Sequence, residues 1–239
     1  MLDSRNRSRA HLEDPLGLLP WALSKLYTVW LRATYPFAAM GRSVSVHYTF
    51  KMSRVMAPRI KLGNSVRVGK DVWLNIIPEA SDEVNIVIED NCRISPRTWI
   101  SAKNQIHLEP DVHLEPSVLI QDHGHAYDNP DLPIKNQTAM PGGRIRIERG
   151  CRIGQGVAIV CSKGDLILGQ HCVVTPNSVV VRSAPPYSVV AGNPARVVER
   201  LRSSTANPES PPISTGEAAS RARLLGRSPE VGQYQGNAE

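Results

Sequence analysis

The sequence predicts an all-β fold, a parallel β-helix of hexapeptides, on three observations. Large aliphatic residues recur every sixth position in triplets. A second small or aliphatic residue stands two positions before each of them. Every break in the period falls between triplets and none within. The five triplets are Leu62, Val68, Leu74; Ile88, Ile94, Ile100; Leu108, Leu114, Ile120; Ile147, Ile153, Ile159; and Leu168, Val174, Val180. A fixed short repeat of this kind marks a solenoid whose units bury their apolar faces only by stacking. Each hexapeptide is a short strand and its corner, three make one coil, and the triplets give about five coils. At the strand spacing of any sheet, five coils span on the order of 24 Å. Aromatics make up only 5% of the chain, which fits a narrow interior.

The elements follow in order along the chain. Residues 1–13 have no apolar pattern and read as disordered. Residues 14–36 read as an amphipathic helix, with Leu19, Leu23, Leu26, Tyr27, Trp30 and Leu31 at helical spacing. Pro20 suits a first turn and Pro36 a stop. Lys25 and Arg32 interrupt the apolar run, so a membrane span is not expected. Two readings of this helix stay open: a cover for the open end of the main domain, or an interfacial membrane helix with an aromatic face. The β-helix domain is expected over 44–201. Its triplets are separated by steps of 14, 8, 27 and 9 residues, so all insertions leave from one corner. Insertions concentrated on one face of a repeat protein mark the functional face. The longest is the loop 121–144, which opens with "QDHGHAYDN". The register stacks Lys103, His123 and Ser162 along that corner, each three residues past an inward isoleucine. Residues 203–239 are rich in Ser, Pro, Gly and Ala and read as a disordered tail.

Composition narrows the function classes. A net charge of +6 favours anionic partners, but no Lys/Arg run is dense enough to point to nucleic acid. Of the four cysteines, Cys92, Cys151 and Cys172 fall on inward positions, and Cys161 completes no CxxC pair. That spacing argues against a zinc-site pattern and against a disulfide framework. No secretory leader is recognisable at the start, so a cytoplasmic location is expected, with contact to a membrane through the helix as the alternative.

The hexapeptides, the loop "DHGHAYDNPDLPI" and the ending "PPYSVVAGNPARVV" together resemble the left-handed β-helix acyltransferases. This hexapeptide-repeat group includes the maltose, galactoside and streptogramin O-acetyltransferases. The resemblance covers residues 60–201, and its loop is most similar to members that acylate saccharides in surface-polysaccharide pathways. It implies left-handed coils, acetyl-CoA as donor, a saccharide or sugar-containing acceptor, no metal, and a homotrimer with sites between prisms. It also implies that His123, at the root of the long loop, is the general base that takes the proton of an acceptor hydroxyl. Imidazole has a suitable pKa for that step. Asp122 or a loop carbonyl would then fix the tautomer of His123. By the same likeness Asn75, Asp122, His125 and Tyr127 face the acceptor, and Gln155, Ser162, Pro176, Arg182 and Arg196 contact CoA. The chain departs from the family pattern in "CRIGQGVAI", where Arg152 replaces a tryptophan. It departs again in "VVTPNSVVVRS", where Pro176 replaces a small residue and Val181 a threonine.

Two rival readings share the same β-helix. A γ-class carbonic anhydrase would bind zinc through three or four ligands. The sequence offers His-x-His where that family has His-x4-His, and His11, His47, His107, His113 and His171 do not complete the set. His107 and His113 each precede an inward leucine and should face outward. The second rival is a binding or scaffold protein that has lost catalysis, for which the departures at Arg152 and Pro176 speak.

Overall fold

A computed structural model describes residues 15–77, 83–137 and 140–201. The expectations for residues 1–13 and for the tail 203–239 lie outside the described residues.

The six-residue period produces three parallel sheets that form the sides of a solenoid of about six turns. The first face stacks Ala39–Met40, Ile60–Leu62, Ile86–Ile88, Gln105–Leu108, Gly142–Ile147 and Lys163–Leu168. The second stacks Ser45–Val46, Arg67–Val68, Arg93–Ile94, His113–Leu114, Arg152–Ile153 and Val173–Val174. It ends in the antiparallel pair Ser188–Gly192 and Ala195–Arg200. The third stacks Trp73–Ile76, Trp99–Ala102, Leu119–Gln121, Ala158–Val160 and Val179–Val180. Pairing is in step, so that Leu74, Ile100, Ile120, Ile159 and Val180 lie side by side. All fifteen large inward positions, and all fifteen small ones two residues earlier, are buried. Burial pushes the Cys92 thiol up to about 12, as befits a core filler.

The solenoid begins at Ala39, one coil before the first regular triplet. Met40, Val46 and Phe50 pack on the core of that coil. The step there shrinks from six to four and ends on an aromatic, which hides the coil from a search for spaced aliphatics. Two of the three corners turn through a residue of positive φ at a fixed place. Ser65, Asn91, Asp111 and His171 serve one corner, and Asp71, Ser117 and Asn177 the other. Asn, Asp and His tolerate this backbone region best among residues with a Cβ. The third corner lacks that short turn, and every insertion leaves from it.

The N-terminal helix, α1, runs Pro15–Thr34. It starts earlier than Pro20 suggests: Pro15 opens the helix, and Pro20 sits within the second turn, where it costs one backbone hydrogen bond. Leu31 is fully buried against the solenoid and Thr28 almost so. The helix lies on the open edge of the first coil and gives each face a polar partner. Thr28 Oγ1 accepts from Val46 N at 2.9 Å, on the second face, and its one proton lies between the carbonyls of Ser24 at 2.7 Å and Val46 at 3.1 Å. Arg32 donates to Met40 O at 3.0 Å and Gly41 O at 2.6 Å, on the first. Tyr27 Oη donates to Phe50 O at 3.3 Å, where the chain enters the third. Unpaired strand edges are thereby covered.

Candidate active site

The insertion corner carries the chemistry. Inward parity continues past Ile120: Gln121 points out and Asp122 in. Asp122 is fully buried, so its carboxylate must be satisfied inside the protein. Oδ1 accepts from Lys103 N at 2.6 Å and Oδ2 from Asn104 N at 2.9 Å, tying two successive coils together. Oδ1 also lies 3.1 Å from His123 Nδ1. A carboxylate only accepts, so this contact requires the proton on Nδ1, and in the neutral ring Nε2 then keeps its lone pair. His123 is itself 7% exposed, and Gln121 Nε2 donates to its carbonyl at 2.9 Å. The imidazole is thus oriented from both sides of its own residue.

The expected stack of Lys103, His123 and Ser162 is present. A Cβ on Gly124 would lie 3.1 Å from Ser162 Oγ, and Lys103 is joined to Asp122. Lys103 Nζ donates to Met140 O at 2.7 Å, and Asn104 Nδ2 donates to Pro141 O and Gly143 O, both at 3.2 Å. These bonds pin the returning end of the loop beside its root. Gly143 allows that return: a Cβ there would meet Cys161 Sγ at 2.3 Å. Asn85, buried below the corner, donates to the carbonyls of Lys103 and Asn104 at 2.9 and 2.7 Å.

The remaining candidate residues separate into groups. Asp122, expected on the acceptor or as the group that fixes the His123 tautomer, is buried and contacts His123, as the second of those expectations has it. His125 and Tyr127 are exposed on the outgoing loop. Asn75 donates to Ser101 Oγ at 3.0 Å. In register, Asn75, Ser101 and Gln121 form one outward column that ends two residues short of His123. Ser101 and Gln121 escaped the sequence reading, although the six-residue register places both beside Asn75. Ser162 and Arg182 share the insertion corner with His123. Gln155 and Pro176 do not: they stack at the corner between the second and third faces, where Asn177 N donates to Gln155 O at 2.8 Å. Arg196 lies in the terminal hairpin and donates to Ala195 O at 2.8 Å.

Arg152, which replaces the family's tryptophan, is exposed and paired with Glu115. That ion pair holds Glu115 below the usual carboxylate range. His107 and His113 sit on the outward side of their strands, half-buried. His107 Nε2 contacts Glu89 Oε1 at 2.6 Å, while burial, with Arg93 and Arg152 alongside, lowers the pKa of His113. Among the described residues, no three His, Cys, Asp or Glu side chains group so as to hold a metal ion.

No protein-family profile matches the chain. It is 26% identical over 230 residues to a protein of Mycobacterium tuberculosis described as a probable acetyltransferase, covering 80% of this chain and 67% of that one. Among solved structures it is similar to AntD, an N-acyltransferase from Bacillus cereus, in complex with dTDP-4-amino-4,6-dideoxyglucose and coenzyme A. The TM-score is 0.62 at 14% identity, over 83% of this chain and 95% of that one. AntD with dTDP and 3-hydroxybutyryl-CoA gives a TM-score of 0.59, also at 14% identity, over 83% and 94%. At such identity the likeness to AntD is one of fold.

Proposed function

We propose, for this member of the hexapeptide-repeat β-helix acyltransferases, that it moves an acetyl group from acetyl-CoA to a hydroxyl of a saccharide or sugar-containing acceptor, with His123 as general base. The observation that carries the reading is the Asp122–His123 pair at the root of the longest insertion. A buried carboxylate there holds an imidazole with Nε2 free to take a proton. An alcohol is a poor nucleophile until its proton leaves as it attacks. His123 Nε2 takes that proton while the hydroxyl oxygen bonds to the thioester carbonyl carbon. The carbon–sulfur bond then breaks, and the imidazolium returns the proton to the departing CoA sulfur. Asn75, Ser101 and Gln121 offer the acceptor a polar column leading to that point, and His125 and Tyr127, exposed on the outgoing loop, are assigned to the acceptor as well.

CoA is assigned to Ser162, Gln155, Pro176, Arg182 and Arg196, the arginines for its phosphates. Gln155 and Pro176 stand at a different corner from His123, which supports a site made between two prisms. The protein is accordingly proposed to work as a homotrimer. A second reading, an amine acceptor, is favoured by the amino sugar in the AntD complex, and the same base serves both.

The test is a thermal-shift and turnover screen with CoA, acetyl-CoA, nucleotide sugars and nucleotide amino sugars. Stabilisation by acetyl-CoA and turnover of a hydroxyl acceptor are expected. His123→Ala should cut turnover at least ~100-fold while keeping acetyl-CoA affinity. Acylation of amino sugars alone selects the second reading. Binding with no turnover of any acceptor points to a scaffold, and full activity of the variant removes His123 from the reaction.

A further inference from the structure

Helix α1 has two faces. The one turned to the solenoid carries Tyr27, Thr28 and Leu31. The opposite one leaves Leu19, Leu26 and Val29 67–68% exposed and Trp30 49% exposed. A helix that is apolar on both sides is ordinarily buried on both, and exposed apolar surface of this size on a soluble domain marks an interaction site.

The charges around it say what the occupant is. From Pro15 to Lys70 the chain contains nine Lys and Arg and no Asp or Glu, whereas the rest of the chain has an excess of acid. These residues form the helix, the first coil and the start of the second, so the cations gather at one end of the solenoid, around the apolar stripe. Lys25, Arg42, Lys51 and Arg54 are all exposed there. A second copy meeting the same end would set cation against cation. No described helix is long and apolar enough to cross a membrane. An apolar stripe containing tryptophan, in a segment with nine cations and no carboxylate of its own, fits the headgroup region of an anionic bilayer, with Asp71 beside His47 the acid next to the first coil.

We propose that α1 and the first coil form a docking surface for an anionic lipid membrane. The stripe of Leu19, Leu26, Val29 and Trp30 enters the interface, and the surrounding cations meet the headgroups. The solenoid then stands end-on, its insertion corner running up from the bilayer and the root of the longest loop, after Gln121, two coils above the first regular one. This surface is independent of the acyl-transfer reading and stands or falls without it.

The test sediments the full chain with vesicles of phosphatidylcholine and phosphatidylglycerol in equal parts, and with phosphatidylcholine alone. Partitioning to the anionic vesicles, a blue shift of tryptophan emission and release by salt are expected. Leu19→Ser with Leu26→Ser, and separately Lys25→Glu with Arg54→Glu, should each weaken partitioning at least about tenfold. All four positions are exposed, so the melting curve should not move, and that curve separates lost docking from lost folding. Failure of the unaltered chain to partition overturns the proposal, as does partitioning that neither pair of substitutions weakens. A self-association that the serine pair abolishes, without vesicle binding, assigns the face to a second copy instead.

Discussion

Asp122 carries more than its own bonds. It has no exposed surface, binds two backbone N–H groups of the preceding coil and contacts the imidazole beside it. Asp122→Asn keeps the shape but replaces one acceptor oxygen with a donor facing an N–H or the ring. Turnover should fall at least ~10-fold with the KM for acetyl-CoA unchanged. Stability should fall by about 1–3 kcal/mol, the usual cost of a mismatched buried polar group. A loss of stability without loss of turnover would make Asp122 a structural clamp only. Its burial was legible in principle, because inward parity runs Leu114, Val118, Ile120 and then Asp122. Reading the loop as irregular from Gln121 onward hid that burial, and left the carboxylate open to two roles, on the acceptor or on the His123 ring. His123 and Ser162 were legible because the corner repeats. Asn85 and Asn104 were not, since their roles are bonds to backbone groups of other coils that no period encodes.

At the scale of elements, the hexapeptide strands announce themselves because each has one inward slot that only a narrow set of side chains fills. The helix does not. Its residues are apolar on nearly every side, so spacing shows that a helix exists but not which face docks. The docking face is set by three polar side chains aimed at strand edges, and Thr28 is the most buried of them. Thr28→Val preserves shape and leaves Val46 N without its side-chain acceptor. The expected loss is about 1–3 kcal/mol, seen as a lower thermal midpoint with activity retained below it. An unchanged midpoint would mean that the edge tolerates an apolar cover. The first coil was missed for a related reason: Phe50 replaces an aliphatic at a shortened step.

At the scale of the molecule, the single chain divides its candidate site between two corners. His123, Ser162 and Arg182 are at one, Gln155 and Pro176 at the other, and the loop that leaves the first corner exposes Tyr127, Leu132 and Ile134. A neighbouring prism would cover those side chains and bring the second corner to the first, and cyclic symmetry would repeat the contact until the ring closes. Light scattering should give three times the monomer mass. Leu132→Asp with Ile134→Asp should lower both assembly and turnover, while a fully active monomer at assay concentration would refute a shared site. The division between corners was legible in the spacing, since Gln155 and Pro176 each lie two past the middle residue of a triplet and His123 and Ser162 three past the last; which corners meet across a boundary was not, because a period says nothing of that.

The covering of the first coil by Tyr27, Thr28 and Arg32 also decides how long this object can be. A solenoid has no intrinsic length: each turn is a template for the next, and a bare final turn recruits any extended segment that reaches it. The helix is the terminator that makes a finite particle of a repeating lattice. Tyr27→Phe, Thr28→Val and Arg32→Ala combined in one chain should therefore turn a discrete species into elongating polymers. Seeded, lag-phase growth with thioflavin binding would record it, and a monodisperse triple variant would show that the apolar seat of Leu31 suffices as the stop.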